Sequence, residues 1–86
     1  MICIIFKLKR QLPTKKQDRV LEEIKHWYQG NRSGRVHRNA DDADKLSLCY
    51  VYVADDKIAR ETLKRLHKTS EVEYAHIPAP RHALNN

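Results

Sequence analysis

The sequence predicts a small α+β sandwich in which one four-stranded antiparallel sheet carries two helices on the same face. Period-two alternation and helical stripes succeed one another in the order strand, helix, strand, strand, helix, strand. Two strand–helix–strand halves of this kind close most simply as a split β-α-β sandwich. The chain has 86 residues, of which 41% are apolar and 33% charged, a globular rather than a disordered composition. A chain of this length buries about 60 to 65% of the surface it exposes when unfolded, which supports one core and no deep enclosed cleft.

Ile2, Ile4, Phe6 and Leu8 fall on one side of the opening strand, and Cys3, Ile5, Lys7 and Lys9 on the other. Pro13 stops the stretch Lys9-Arg10-Gln11-Leu12-Pro13 from continuing it, because proline has no N–H for a ladder. Thr14 is expected to cap the first helix, with Gln17 completing a capping box. Val20, Leu21, Ile24, Trp27 and Tyr28 form its buried stripe, and Gly30 is expected to end it in the left-handed region. Residues 33–38 are short and basic, which suits an edge strand. Asp41, Asp42 and Asp44 lack the glycine and terminal glutamate of a calcium loop, so residues 39–44 read as a solvated turn.

Residues 46–53 are the strongest strand, apolar on both sides after Ser47 and β-branched or aromatic from Tyr50 to Val53, and belong at the centre of the sheet. Ala54-Asp55-Asp56 caps a second helix with the stripe Ile58, Ala59, Thr62, Leu63 and Leu66. Lys64, Arg65, His67 and Lys68 complement the negative end of its dipole. Residues 71–77 make the last strand, and Pro78 and Pro80 hold the segment after it extended. The whole is a ferredoxin-like βαββαβ domain over residues 1–77 with an extended tail over 78–86. One sheet face has no helices, so a partner is expected at that face, at the edges, or on the tail.

Seventeen Lys and Arg against eleven Asp and Glu give a net charge of +6. That balance favours acidic partners, with simple solubility as the plain alternative. Cys3 and Cys49 each sit in an apolar run and read as buried reduced thiols rather than a disulfide framework. His26, His37, His67, His76 and His82 are scattered, with no ligand spacing, and Ser33, Ser47 and Ser70 lack a nucleophile context. No catalytic constellation, metal set or cofactor motif is present, so the expectation is a non-enzymatic protein. The opening apolar run is too short for a secretory segment and no run reaches membrane-spanning length. The expectation is a cytoplasmic chain without a membrane partner, or a piece excised from a longer precursor.

Two binding chemistries fit this frame. Tyr50 and Tyr52 on the third strand, with Arg35 and Arg38 on the second, are the candidate contacts of a basic nucleic-acid-binding module. Against that stand the missing glycines of the RNA-recognition motif and the spread of the basic residues. Ordinary strand tyrosines are the alternative.

The other chemistry lies at the end of the chain. A helix ending Leu63-Lys64-Arg65-Leu66, a short polar turn, the strand Glu71-Val72-Glu73-Tyr74-Ala75 and an extended tail come after the opening strand Ile4-Ile5-Phe6-Lys7 and its helix. Taken with the element order, this resembles the subtilisin-propeptide family of peptidase inhibitors. The resemblance implies a subtilisin-like serine protease as partner, in cis or in trans, docked through two surface helices against the open sheet face. It also implies a monomer when free, acting as inhibitor, folding chaperone or both. Its tail would lie in the substrate cleft like a product, with Leu84 in the primary specificity pocket and Ala83, His82 and Arg81 upstream. An extended tail can add as a strand in such a cleft, and its prolines lower the cost of ordering it. Asn85 and Asn86 fit either a junction with a following domain or the end of a free-standing inhibitor. A homodimer through edge strands is the third class left open.

Overall fold

The computed structural model describes residues 1–37 and 43–78. Its two inner strands, β1 (Ile2–Leu8) and β3 (Leu48–Val53), run antiparallel with Ile4 opposite Val51 and Phe6 opposite Cys49. The edge strands are β2 (Arg32–Arg35) beside β3 and β4 (Val72–His76) beside β1, giving the order β2-β3-β1-β4. Helices α1 (Thr14–Lys25) and α3 (Asp56–Lys68) pack on one face, and a short helix, α2 (Ala43–Leu46), precedes β3. This is the ferredoxin-like βαββαβ arrangement the sequence predicts.

The core lies between the helices and the inner strands. Ile4, Phe6 and Leu8 from β1 and Cys49, Val51 and Val53 from β3 meet Val20 and Ile24 of α1 and Ala59 and Leu66 of α3. Alternation sends every second side chain of β1 and β3 inward, and each large one contributes about 1.5–3 kcal/mol by leaving water. At the start of α3 the Asp55 carboxylate accepts the Ile58 N–H at 2.9 Å, as its capping role requires.

Several boundaries differ from the sequence reading, the last strand among them, which spans Val72–His76 rather than 71–77. Pro13, not Thr14, is the N-cap of α1, and no side chain caps it. Gln17 is turned inward instead, where its amide donates to the carbonyls of Lys9 (3.5 Å) and Leu12 (3.4 Å) and its oxygen accepts from Arg35 at 2.8 Å. The helix stops at Lys25, because His26 and Trp27 donate to the carbonyls three residues back, Glu23 and Ile24. Gly30, at φ +88°, then turns the chain into β2.

Trp27 and Tyr28 remain half-buried beyond the helix end, with the Arg65 guanidinium of α3 4.5 Å and 5.9 Å from their ring centres. The second strand is confined to Arg32–Arg35, and α2 takes up Leu46, so the third strand begins two residues later than its β-propensity implies. The acidic stretch 39–42 lies outside the described residues. Among the described residues no helix is long and apolar enough to cross a membrane.

Candidate docking face

The face of the sheet away from the helices is built by the other half of each strand's alternation. Register places Arg32, Tyr52 and Cys3 in one cross-strand row and Gly34, Tyr50, Ile5 and His76 in the next. Leu48, Lys7 and Tyr74 make a third row. Three tyrosines and a histidine therefore share one open face. Tyr52 and Tyr74 are 40% and 45% exposed, and Val36, which continues the same alternation beyond β2, is 41% exposed.

The rings hold one another in place. Tyr50 and Tyr52 meet edge to face with centroids 5.2 Å apart, and Tyr74 and His76 lie 6.0 Å apart at a tilt of 32°. Tyr50 lies down across Gly34, whose missing side chain makes room: a Cβ there would stand 2.8 Å from the phenol oxygen and 3.0 Å from Cζ.

Of the residues predicted to bind nucleic acid, Tyr50 and Tyr52 are on this face and Arg35 is not. Arg35 points to the helix side, bonded to Gln17, to the Leu46 carbonyl at 2.6 Å and to the Asp18 carboxylate at 2.6 Å. Its register opposite Cys49, a core residue, dictates that side. The guanidinium therefore ties β2, α1 and the end of α2 together rather than facing a partner. Arg38 and the tail residues Arg81, His82, Ala83 and Leu84 lie outside the described residues. Arg32, Tyr74 and His76 are the face residues that sequence reasoning missed.

Cys3 sits half-buried on the open face and Cys49 is buried on the helix side, so the sheet itself separates the two free thiols. Burial pushes the Cys49 thiol up to about 12, partly opposed by the Arg35 charge and reinforced by Asp18. Burial also raises the Cys3 thiol, against a hydrogen bond with Tyr52 that lowers it. Neither offers a reactive thiolate at neutral pH. Among the described residues no three His, Cys, Asp or Glu side chains gather as a metal site.

At the corner where β1 leaves the sheet, the pairing with β4 slips. Tyr74 stands opposite Lys7 but Val72 stands opposite Leu8, which leaves Glu73 as the extra residue of a bulge. An open cleft of about 520 Å³ occupies this corner, lined by Lys7, Lys9, Arg10, Gln11 and Glu73. Lys7 Nζ stands 3.8 Å from the Glu73 carboxylate. The outer edge of β4 is partly covered, because His67 of α3 donates its Nε2–H to the Ala75 carbonyl at 3.0 Å. Compared with known proteins, the chain matches no family model, no curated protein and no solved structure.

Proposed function

We propose that the protein is a non-enzymatic docking module of the propeptide type, which binds a subtilisin-like serine protease through its open sheet face and lays its C-terminal tail in the substrate cleft. The observation that carries this reading is the composition of the face. Tyr50, Tyr52, Tyr74, Arg32, Ile5 and Leu48 lie together, and Glu73 is the only acidic residue in any of the four strands among the described residues. Protein interfaces are enriched in tyrosine and arginine and depleted of carboxylates in the same way. Position adds support. β4 borders this face and runs into Ile77 and Pro78, so a partner on the face stands next to the start of the tail.

Titrating a subtilisin-like protease with the full chain, and with the chain ended after Pro80, tests the reading. Inhibition by the full chain that disappears on truncation is the expected result. Failure of the full chain to inhibit any of several such proteases would discard it.

A nucleic-acid module is the second reading, favoured by one specific observation. Tyr50 reaches over Gly34 and meets Tyr52 edge to face on the open side of the sheet, a pair of neighbouring rings of the kind on which bases stack. Such a module would lose affinity for a single-stranded oligonucleotide steeply as salt rises, and the truncation would leave that affinity intact.

A further inference from the structure

We infer that the outward face of α3 is a contact for the phosphate backbone of a nucleic acid. The contact stands apart from the docking reading and does not rest on it, because α3 packs on the side of the sheet away from the tyrosines. Five of the thirteen residues of α3 are Lys or Arg, against two carboxylates. With 3.6 residues per turn, Lys57, Lys64 and Lys68 fall within about 20° of one line along the helix, and Arg60 lies about 60° to its side. The buried residues Ala59, Thr62 and Leu66 face the opposite way, into the core, and all four cations are exposed. Among the described residues no hydrogen bond or ion pair holds any of the four side chains.

Helix stability alone would not select this row. Lys68, in the last turn, complements the helix dipole, but Lys57 stands in the first turn, where the positive end of the dipole opposes it. Arg60 with Lys64 and Lys64 with Lys68 are neighbours four residues apart, and like charges at that spacing repel. α1 shows the usual alternative: its four Lys and Arg are interleaved with three carboxylates, Asp18, Glu22 and Glu23. In α3 the only carboxylate past the first turn is Glu61, about 40° from the row. Arg65 borders the row on that side, its guanidinium 4.5 Å from the centre of the Trp27 ring and 5.9 Å from that of Tyr28. A guanidinium held this way keeps its charge and its fixed N–H fork, which suits a phosphate.

Spacing and shape decide the occupant. Steps of three, four and four residues set the cations about 4.5, 6 and 6 Å apart along the axis, in a row about 16.5 Å long. Phosphates recur at even intervals along a strand, whereas the carboxylates of a folded protein surface do not. A lipid surface would need apolar groups to insert, and α3 packs Ile58, Ala59, Leu63 and Leu66 against the core. Such a row reads charge and not base sequence.

Affinity for a short labelled DNA duplex of mixed sequence tests this in the full chain. Four phosphate contacts predict a slope of about −3.6 for log affinity against log salt, so binding should weaken roughly a hundredfold between about 50 and 200 mM salt. Lys57→Gln, Arg60→Gln, Lys64→Gln and Lys68→Gln together should reduce that slope by about three and lower the affinity at low salt by about tenfold or more. Glutamine has a helix propensity close to that of lysine and arginine, and the change removes both repulsive pairs, so the melting temperature should not fall. Lys64→Gln alone, at the centre of the row, should reduce the slope by about one. Affinity and slope unchanged in the fourfold variant would overturn the inference.

Amide resonances locate the contact. The duplex should shift those of Lys57, Arg60, Lys64 and Lys68 in the labelled chain and leave those of Tyr50 and Tyr52 in place. Shifts confined to Tyr50, Tyr52 and their neighbours would move the nucleic acid to the open face and overturn the inference. So would a polyglutamate chain that competes with the duplex equally, charge for charge, since the row would then answer to an acidic protein. Protease inhibition enters neither measurement. If the full chain inhibits no protease, the docking reading falls and the duplex titration still decides α3.

Discussion

Gly34 is where one missing methyl group shapes the whole open face. Tyr50 rests over it, and an added Cβ would meet the phenol oxygen, Cζ and Cε1 at 2.8, 3.0 and 3.2 Å. These are the far atoms of a side chain that can tilt away, at a rotamer cost of about 0.5–1.5 kcal/mol. Replacing glycine in an extended strand also removes unfolded-state freedom, which returns about 0.4–1 kcal/mol. Gly34→Ala should therefore leave stability to denaturant within about 1 kcal/mol of the natural chain. The displaced ring no longer fits Tyr52, 5.2 Å away, so the tyrosine resonances should move and inhibition of the protease should weaken. A variant that inhibits as well as the natural chain would show that Tyr50 does not touch the partner.

Among the elements, the inner strands and both long helices follow from hydrophobic periodicity alone, because their patterns are set by burial on one face and little else. The exceptions are places where a distant group overrides a local preference. Gln17 has the spacing of a capping box, yet its amide is worth more inside, where Lys9, Leu12 and Arg35 offer partners that water cannot. Leu46 has strand propensity, yet its carbonyl accepts from Arg35 at the end of α2. Neither partnership is visible from spacing, since Arg35 lies 18 residues from Gln17 and 11 from Leu46. Gln17→Leu keeps the volume and removes the bonds. It should cost about 1–2 kcal/mol in urea unfolding, because Arg35 loses one acceptor but keeps Asp18 and the Leu46 carbonyl. Unchanged or higher stability would mean that the bonds contribute nothing net and that Gln17 is held inward by packing.

For the molecule as a whole, the βαββαβ frame and the existence of an open face were legible in the sequence, whereas half of that face was not. Plain alternation along β4 would put Tyr74 on the same side as Val72, in the core. The bulge at Glu73 reverses the parity, so Tyr74 and His76 come out beside Lys7 and Ile5. A bulge has no signature in a five-residue strand. Arg35 failed for the related reason that its side is fixed by pairing with Cys49, not by its charge. In the proposed docking the face and the tail act as two separate binding elements on one chain, and linking two elements makes the second contact effectively intramolecular. That arrangement yields a sharp expectation for the chain ended after Pro80. Without its tail it should no longer inhibit, but its sheet face should still occupy the docking surface and compete with the full chain. Adding excess truncated chain to a protease already inhibited by the full chain should therefore restore activity. Tyr52→Ser with Tyr74→Ser in the truncated chain should abolish the rescue, while the melting temperature stays within a few degrees because both side chains are exposed. If the truncated chain gives no rescue at any concentration, the tail alone holds the protease and the open face has a different partner.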